Sequence, residues 1–170
     1  MAVMDGISKH LTGSFDVVQV LWSRYFFHAI IVVAYLLLTR SRSVFKTNKP
    51  KIQLQRSFAL FAATCAMYTS LKYLPLADAA AMQHAAPVLV TIISGIFLGE
   101  KIGVRRYGAV VAAFIGVLII VQPGADFQWP ILLPLFTALM LAIFLIQTRA
   151  LQDHDDVYTK LFYSTLIGVI

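Results

Sequence analysis

Few side chains in this sequence could do chemistry, and most of them lie inside long apolar runs. Arg24, His28 and Tyr35 follow at spacings of 4 and 7, which places them on one stripe of a helix. A guanidinium does not shed its proton, so away from water it needs a partner. Asp5, at a matching depth in the preceding apolar stretch, is the candidate ion-pair mate of Arg24. Three readings stand open: a static Asp5–Arg24 pair that fixes packing, an Arg24 that snorkels to the interface, or an Arg24 that faces a cavity and attracts anions. A second stripe holds His84, Pro87, Thr91 and Ser94 at successive spacings of 3, 4 and 3. Pro87 removes a backbone donor and frees the carbonyl of Gln83, predicting a helix kink there. Such a kink is tolerated in a membrane only where protein or water re-satisfies the freed group. Gln83, His84 and Thr91 are therefore candidate cavity residues; a neutral His84 bonded to a neighbouring helix is the alternative. Either His28 or His84 could carry a proton where water reaches it. Thr64, Tyr68 and Lys72 share a third stripe; Tyr68 could stack on or hydrogen-bond a solute, and Lys72 snorkels.

Enzyme chemistry finds little footing. Asp153, His154, Asp155 and Asp156 look like metal ligands but lie in one loop without a second ligand group, so the reading is a solvated loop and no metal site. Phosphate loops, paired-cysteine zinc patterns and nucleophile elbows are lacking, and no cofactor is implied. Cys65 cannot form an internal disulfide and reads as a packing residue.

The elements that must position these residues are membrane spans. The chain is 59% hydrophobic and 13% charged, against about half and about a quarter in a soluble domain. Its mean hydropathy is +0.79. Five apolar stretches, 17–38, 57–74, 77–98, 107–121 and 131–147, approach the ~20 residues that cross a ~30 Å hydrocarbon layer. Residues 1–11 read as half a helix, and 158–170 open another that stops inside an apolar run. The predicted fold is all-α: half a span, five whole spans and half a span. The chain thus reads as a fragment without a signal peptide.

Charge placement orients the bundle. Eleven of the 14 basic residues fall on alternate loops: Arg40 to Arg56, then Lys101, Arg105 and Arg106, then Arg149 and Lys160. Basic loops are cytoplasmic, so the N-terminus is placed in the cytoplasm. This alternation also argues against nucleic acid, which would ask for one basic face. Trp22, Tyr25, Tyr73 and Trp129 read as an interfacial aromatic belt. Gly95 and Gly99, and Gly108, Ala112 and Gly116, form small-residue faces that are either internal or join two copies in a homodimer. Glu100 with Lys101, Arg105 and Arg106 is expected to close a helical hairpin by ion pairs.

The stretch from Leu74 to Pro123 resembles the EamA family of the drug/metabolite transporter superfamily. The resemblance rests on a short turn into an Ala-rich helix, Pro87 within it, and Gly99-Glu100-Lys101 at its end. Arg105-Arg106 and then Gly108 and Gly116 in a short next helix complete it. It implies ten helices in two inverted five-helix repeats around a central substrate pathway. On that template the chain holds part of helix 1, helices 2 to 6 whole and part of helix 7. Residues 1–121 would be the first EamA-like repeat, and residues 122–170 the start of the second. The implied protein is a secondary transporter of the bacterial inner membrane, not an enzyme. It would move a small organic metabolite or drug-like solute by alternating access, completed by the remaining helices of the second repeat. Two rival readings stay open: a helical membrane protein with a structural or assembly role, whose polar groups serve only packing, and an integral-membrane enzyme.

Overall fold

A computed structural model describes residues 2–39, 47–97, 103–121, 129–152 and 155–168. They form eight α-helices, α1 (Ala2–Ser14), α2 (Val17–Thr39), α3 (Pro50–Tyr73), α4 (Leu76–Gln83), α5 (Ala86–Phe97), α6 (Val104–Val121), α7 (Leu132–Ala150) and α8 (Val157–Leu166). A 3₁₀ turn, Trp129–Ile131, leads into α7, and no strand occurs among the described residues. Among the described residues, three stretches are long and apolar enough to cross a membrane: Val17–Thr39, Leu76–Gly95 and Trp129–Ala150.

Two boundaries differ from the sequence reading. The third helix begins at Pro50 instead of residue 57, so Lys51 and Arg56 are helical and not loop residues. Proline at the first helical position is pre-set for that conformation and lacks only a donor that would be unbonded anyway. The span expected at 77–98 is two helices, α4 and α5, separated by a turn at His84 and Ala85. The His84 amide still reaches the carbonyls of Ala80 and Ala81, and the Ala85 amide tightens onto Met82. Pro87 then occupies the first turn of α5, where its missing N–H costs least.

Helix α3 is the hub, packed against α1, α2, α4, α7 and α8. Its closest neighbour is α7, and small side chains explain why. Ala59, Ala63 and Ala66 on α3 and Ala138 and Ala142 on α7 are all buried, in two helices that pack on each other. Without bulky side chains the two backbones approach, and the Thr137 hydroxyl donates across the seam to the Ala63 carbonyl at 3.3 Å. Helix α2 is held by Leu21 and Tyr25 against Tyr68 of α3, and by Val32 and Leu36 against Tyr158 and Phe162 of α8. Gly168 lies directly on the Tyr25 ring, where any side chain would collide.

Helix α6 is the outlier. It packs mainly on α4 and α5, and Tyr107, Val111, Phe114, Ile115 and Ile119 are exposed. A side chain added at Gly108 or Gly116 would meet nothing within 4 Å.

Candidate functional site

At the end of the bundle where α1 runs into α2, the two helices part around a cleft of about 820 Å³. That volume falls within the roughly 300–1,000 Å³ usual for small-molecule sites. Helix α1 contributes Ile7, Ser8 and Leu11, and α2 contributes Val18, Gln19, Trp22, Ser23, Arg24 and Phe27. Phe15 closes the turn, and Tyr68 reaches in from α3. The walls are mostly apolar and aromatic, and Ser8 and Arg24 converge on Tyr68.

Tyr68 is buried, and its hydroxyl joins three helices. Arg24 Nη1 donates to it at 2.9 Å, and it shares a hydrogen bond with the Ser8 hydroxyl at 2.8 Å. The guanidinium carbon also stands 5.3 Å from the centre of the Tyr68 ring, within cation–π range. Arg24 is half-buried, and no described residue lining the cleft is acidic. Arg24 sits seven residues into α2, about 11 Å along its axis.

The structure brings together Arg24 and Tyr68 among the residues singled out from sequence, and adds Ser8, Gln19 and Ser23. His28, one turn beyond Arg24, is exposed and outside the cleft. Tyr35 stacks on Tyr158 of α8, with ring centres 6.2 Å apart. Gln83 and His84 lie at the α4–α5 break, the latter exposed, and the Thr91 hydroxyl is turned back onto the Pro87 carbonyl at 3.0 Å. The side chain of Asp5, and with it the Asp5–Arg24 pair, lies outside the described residues, as do Glu100 and Lys101 and the side chain of Arg106.

Three sequence readings are corrected. Tyr25 is not an interfacial aromatic: it is buried against α3 and its hydroxyl donates to Thr64 at 3.0 Å. The loop before α8 is not simply solvated. Asp155 is buried and accepts from the Thr47 hydroxyl at 2.5 Å and from the Asn48 amide at 3.0 Å, and Asp156 caps α8 at the Val157 amide. Asp153 and His154 are outside the described residues, among which no group of three metal-ligating side chains gathers. Third, Arg56 is more than a topological charge. It is buried, with Nε donating to Thr148 of α7 at 2.7 Å and Nη1 to the Lys160 carbonyl and Ser164 hydroxyl of α8 at 3.1 and 3.0 Å. Its guanidinium lies over the Phe144 ring at 4.6 Å. The Gln53 amide adds a bond to the Thr159 carbonyl at 3.3 Å. This end of α3 is therefore clamped to α7 and α8 by charge-assisted bonds. Lys9 fastens α1 to the opposite end, donating to the Leu71 and Leu74 carbonyls at the C-terminus of α3, where the helix dipole favours a cation.

Apolar spans around a small-molecule-sized cleft define a multi-pass membrane protein of the helical-bundle class. The chain belongs to the EamA-like transporter family, whose model matches residues 1–122. It is similar to the S-adenosylmethionine uptake transporter of Rickettsia conorii, 26% identical over 98% of this chain and 56% of that protein. It is also similar to the riboflavin transporter of Vibrio cholerae, 27% identical over 98% of this chain and 57% of the relative. The pseudopaline exporter CntI of Pseudomonas aeruginosa is 22% identical over 99% of this chain and 60% of its own length. The chain thus spans little more than half the length of these relatives. No solved structure matches it.

Proposed function

We propose that this chain is the N-terminal part of a secondary transporter of the bacterial inner membrane, moving a small organic solute by alternating access. The observation that carries this reading is the α1–α2 cleft, solute-sized and aromatic, with a half-buried guanidinium positioned on Tyr68, whose hydroxyl also meets Ser8. A charge at that depth is costly in lipid unless it serves a pathway or a partner. Relatives named for uptake of S-adenosylmethionine, transport of riboflavin and export of pseudopaline support a small organic cargo. Residues 1–121 form the first repeat, which the family match over 1–122 supports, and 122–170 begin the second. The N-terminus is cytoplasmic, so the cleft opens in the outer half of the membrane and the Arg56 clamp lies on the cytoplasmic side. Arg24 and Tyr68 line the pathway. His28, Gln83, His84 and Thr91 lie away from this cleft and are not needed for the reading.

The test compares metabolite exchange in cells carrying the intact gene, the Arg24→Ala gene and a deletion. Arg24→Ala should abolish the gene-dependent flux, at least tenfold on the loss of one charged contact (about 1.4 kcal/mol or more), with membrane abundance unchanged. Unaltered flux would overturn the assignment. Loss of the protein from the membrane would favour a structural role. That assembly reading draws on the vacant Gly108 and Gly116 face of α6, which could seat further helices or a second copy.

A further inference from the structure

We propose that the α1–α2 cleft selects an organic anion with a flat apolar body, its anionic group held on Arg24 and its body against Phe15, Trp22 and Phe27. The proposal rests on reading the cleft as the solute pathway. It adds which solutes that pathway prefers. Tyr68 accepts from Arg24 Nη1 and has its ring centre 5.3 Å from the guanidinium carbon, fixing its position. Among the described residues no other side chain bonds that guanidinium, so with respect to them Nε and Nη2 retain their donors. Those two nitrogens form the fork that matches a carboxylate, phosphate or sulfonate in bidentate fashion. No described residue of the cleft lining supplies a compensating negative charge. A cationic solute would be repelled there, and a neutral one would displace water from the guanidinium without replacing it. An anion satisfies both the charge and the donors.

The remaining wall sets the shape of the rest of the ligand. Trp22 is 53% exposed and Phe27 64%, both on the cleft side of α2, while Phe15 closes the turn. Trp22 is stacked on Phe26 with ring centres 4.8 Å apart and planes 13° from parallel, which holds its indole as a flat platform. Planar apolar groups pack on such surfaces at low entropic cost.

The chain has two tryptophans, so Trp129→Phe leaves Trp22 as the only indole reporter, placed in the wall of the cleft. Reconstituted in zwitterionic nanodiscs, this variant is titrated with three probes sharing one ring system: 2-naphthoate, 2-naphthalenemethanol and 2-naphthylmethylammonium. The expected result is naphthoate binding at least about tenfold tighter than the alcohol, with the ammonium weakest. Arg24→Gln should erase the preference, with helical content by circular dichroism and elution as a single species in detergent showing that the variant is folded. Arg24→Lys should keep part of it. Equal binding of the three probes, or a preference that survives Arg24→Gln, overturns the proposal while leaving the cleft a solute site. Failure of all three to bind overturns both. Anionic lipid offers the same chemistry from another source: loss of naphthoate binding in nanodiscs containing phosphatidylglycerol would assign Arg24 to a headgroup and overturn the solute reading.

Discussion

The Tyr68 hydroxyl is where α1, α2 and α3 meet, with Ser8 and Arg24 bonding to the same oxygen. Tyr68→Phe keeps the ring and its cation–π contact but leaves both partners without that oxygen. Removing a hydrogen bond to a charged group costs about 1.5–3 kcal/mol. The variant should lose stability in that range, read from unfolding in detergent mixtures, and Arg24→Leu combined with Tyr68→Phe should cost less than the two single changes added. Arg24 and Tyr68 were legible in the sequence because a charge or phenol inside an apolar run is conspicuous. Ser8 and Lys9 were not: serine is unremarkable in a helix, and the carbonyls that Lys9 binds become its partners only when α1 crosses the end of α3. Tyr25 misled for a related reason. Its place near a span terminus suits an interfacial aromatic, and only the packing of α2 on α3 shows that Thr64 waits for its hydroxyl.

Among the elements, the split of α4 from α5 is the feature most directly traceable to one residue. Pro87 denies a donor to the carbonyl four residues back, and the chain answers with a tight turn at His84 and Ala85. Pro87→Ala should restore that bond and join the two helices. Spin labels at residues 77 and 92 should then report a narrower, longer distance distribution, and amide exchange at 84–88 should slow. An unchanged distribution would mean that packing on α7, not proline, sets the break. The existence of the spans was readable from apolar run length. The start of α3 was not, since Lys51 and Arg56 carry the composition of a loop. What makes them helical is tertiary: α7 and α8 supply acceptors that Arg56 could not find alone. The Ala59, Ala63 and Ala66 seam was equally silent, because small residues announce close approach only once the partner helix is known.

Across the whole molecule, topology is the property most open to test. The proposed orientation, with basic loops in the cytoplasm, expects Gly103 on the cytoplasmic side and Asp78 on the opposite one. Both positions are exposed, and a side chain at Gly103 meets nothing within 4 Å. In a Cys65→Ser background, Asp78→Cys should react in intact cells with a membrane-impermeant maleimide, and Gly103→Cys only after lysis. The reverse pattern would invert the bundle. Arg56 has a consequence for how such a bundle comes into being. Its acceptors Thr148, Lys160 and Ser164 lie 92, 104 and 108 residues further along the chain. At a ribosomal pace of about 5–20 residues per second, they emerge some 5–20 s after Arg56 does. Throughout that wait these acceptors are missing, so the Arg56 end of α3 gains its clamp only when α7 and α8 arrive. An element made third is therefore locked in place by the last two, and truncation before α7 would leave this end of α3 unclamped.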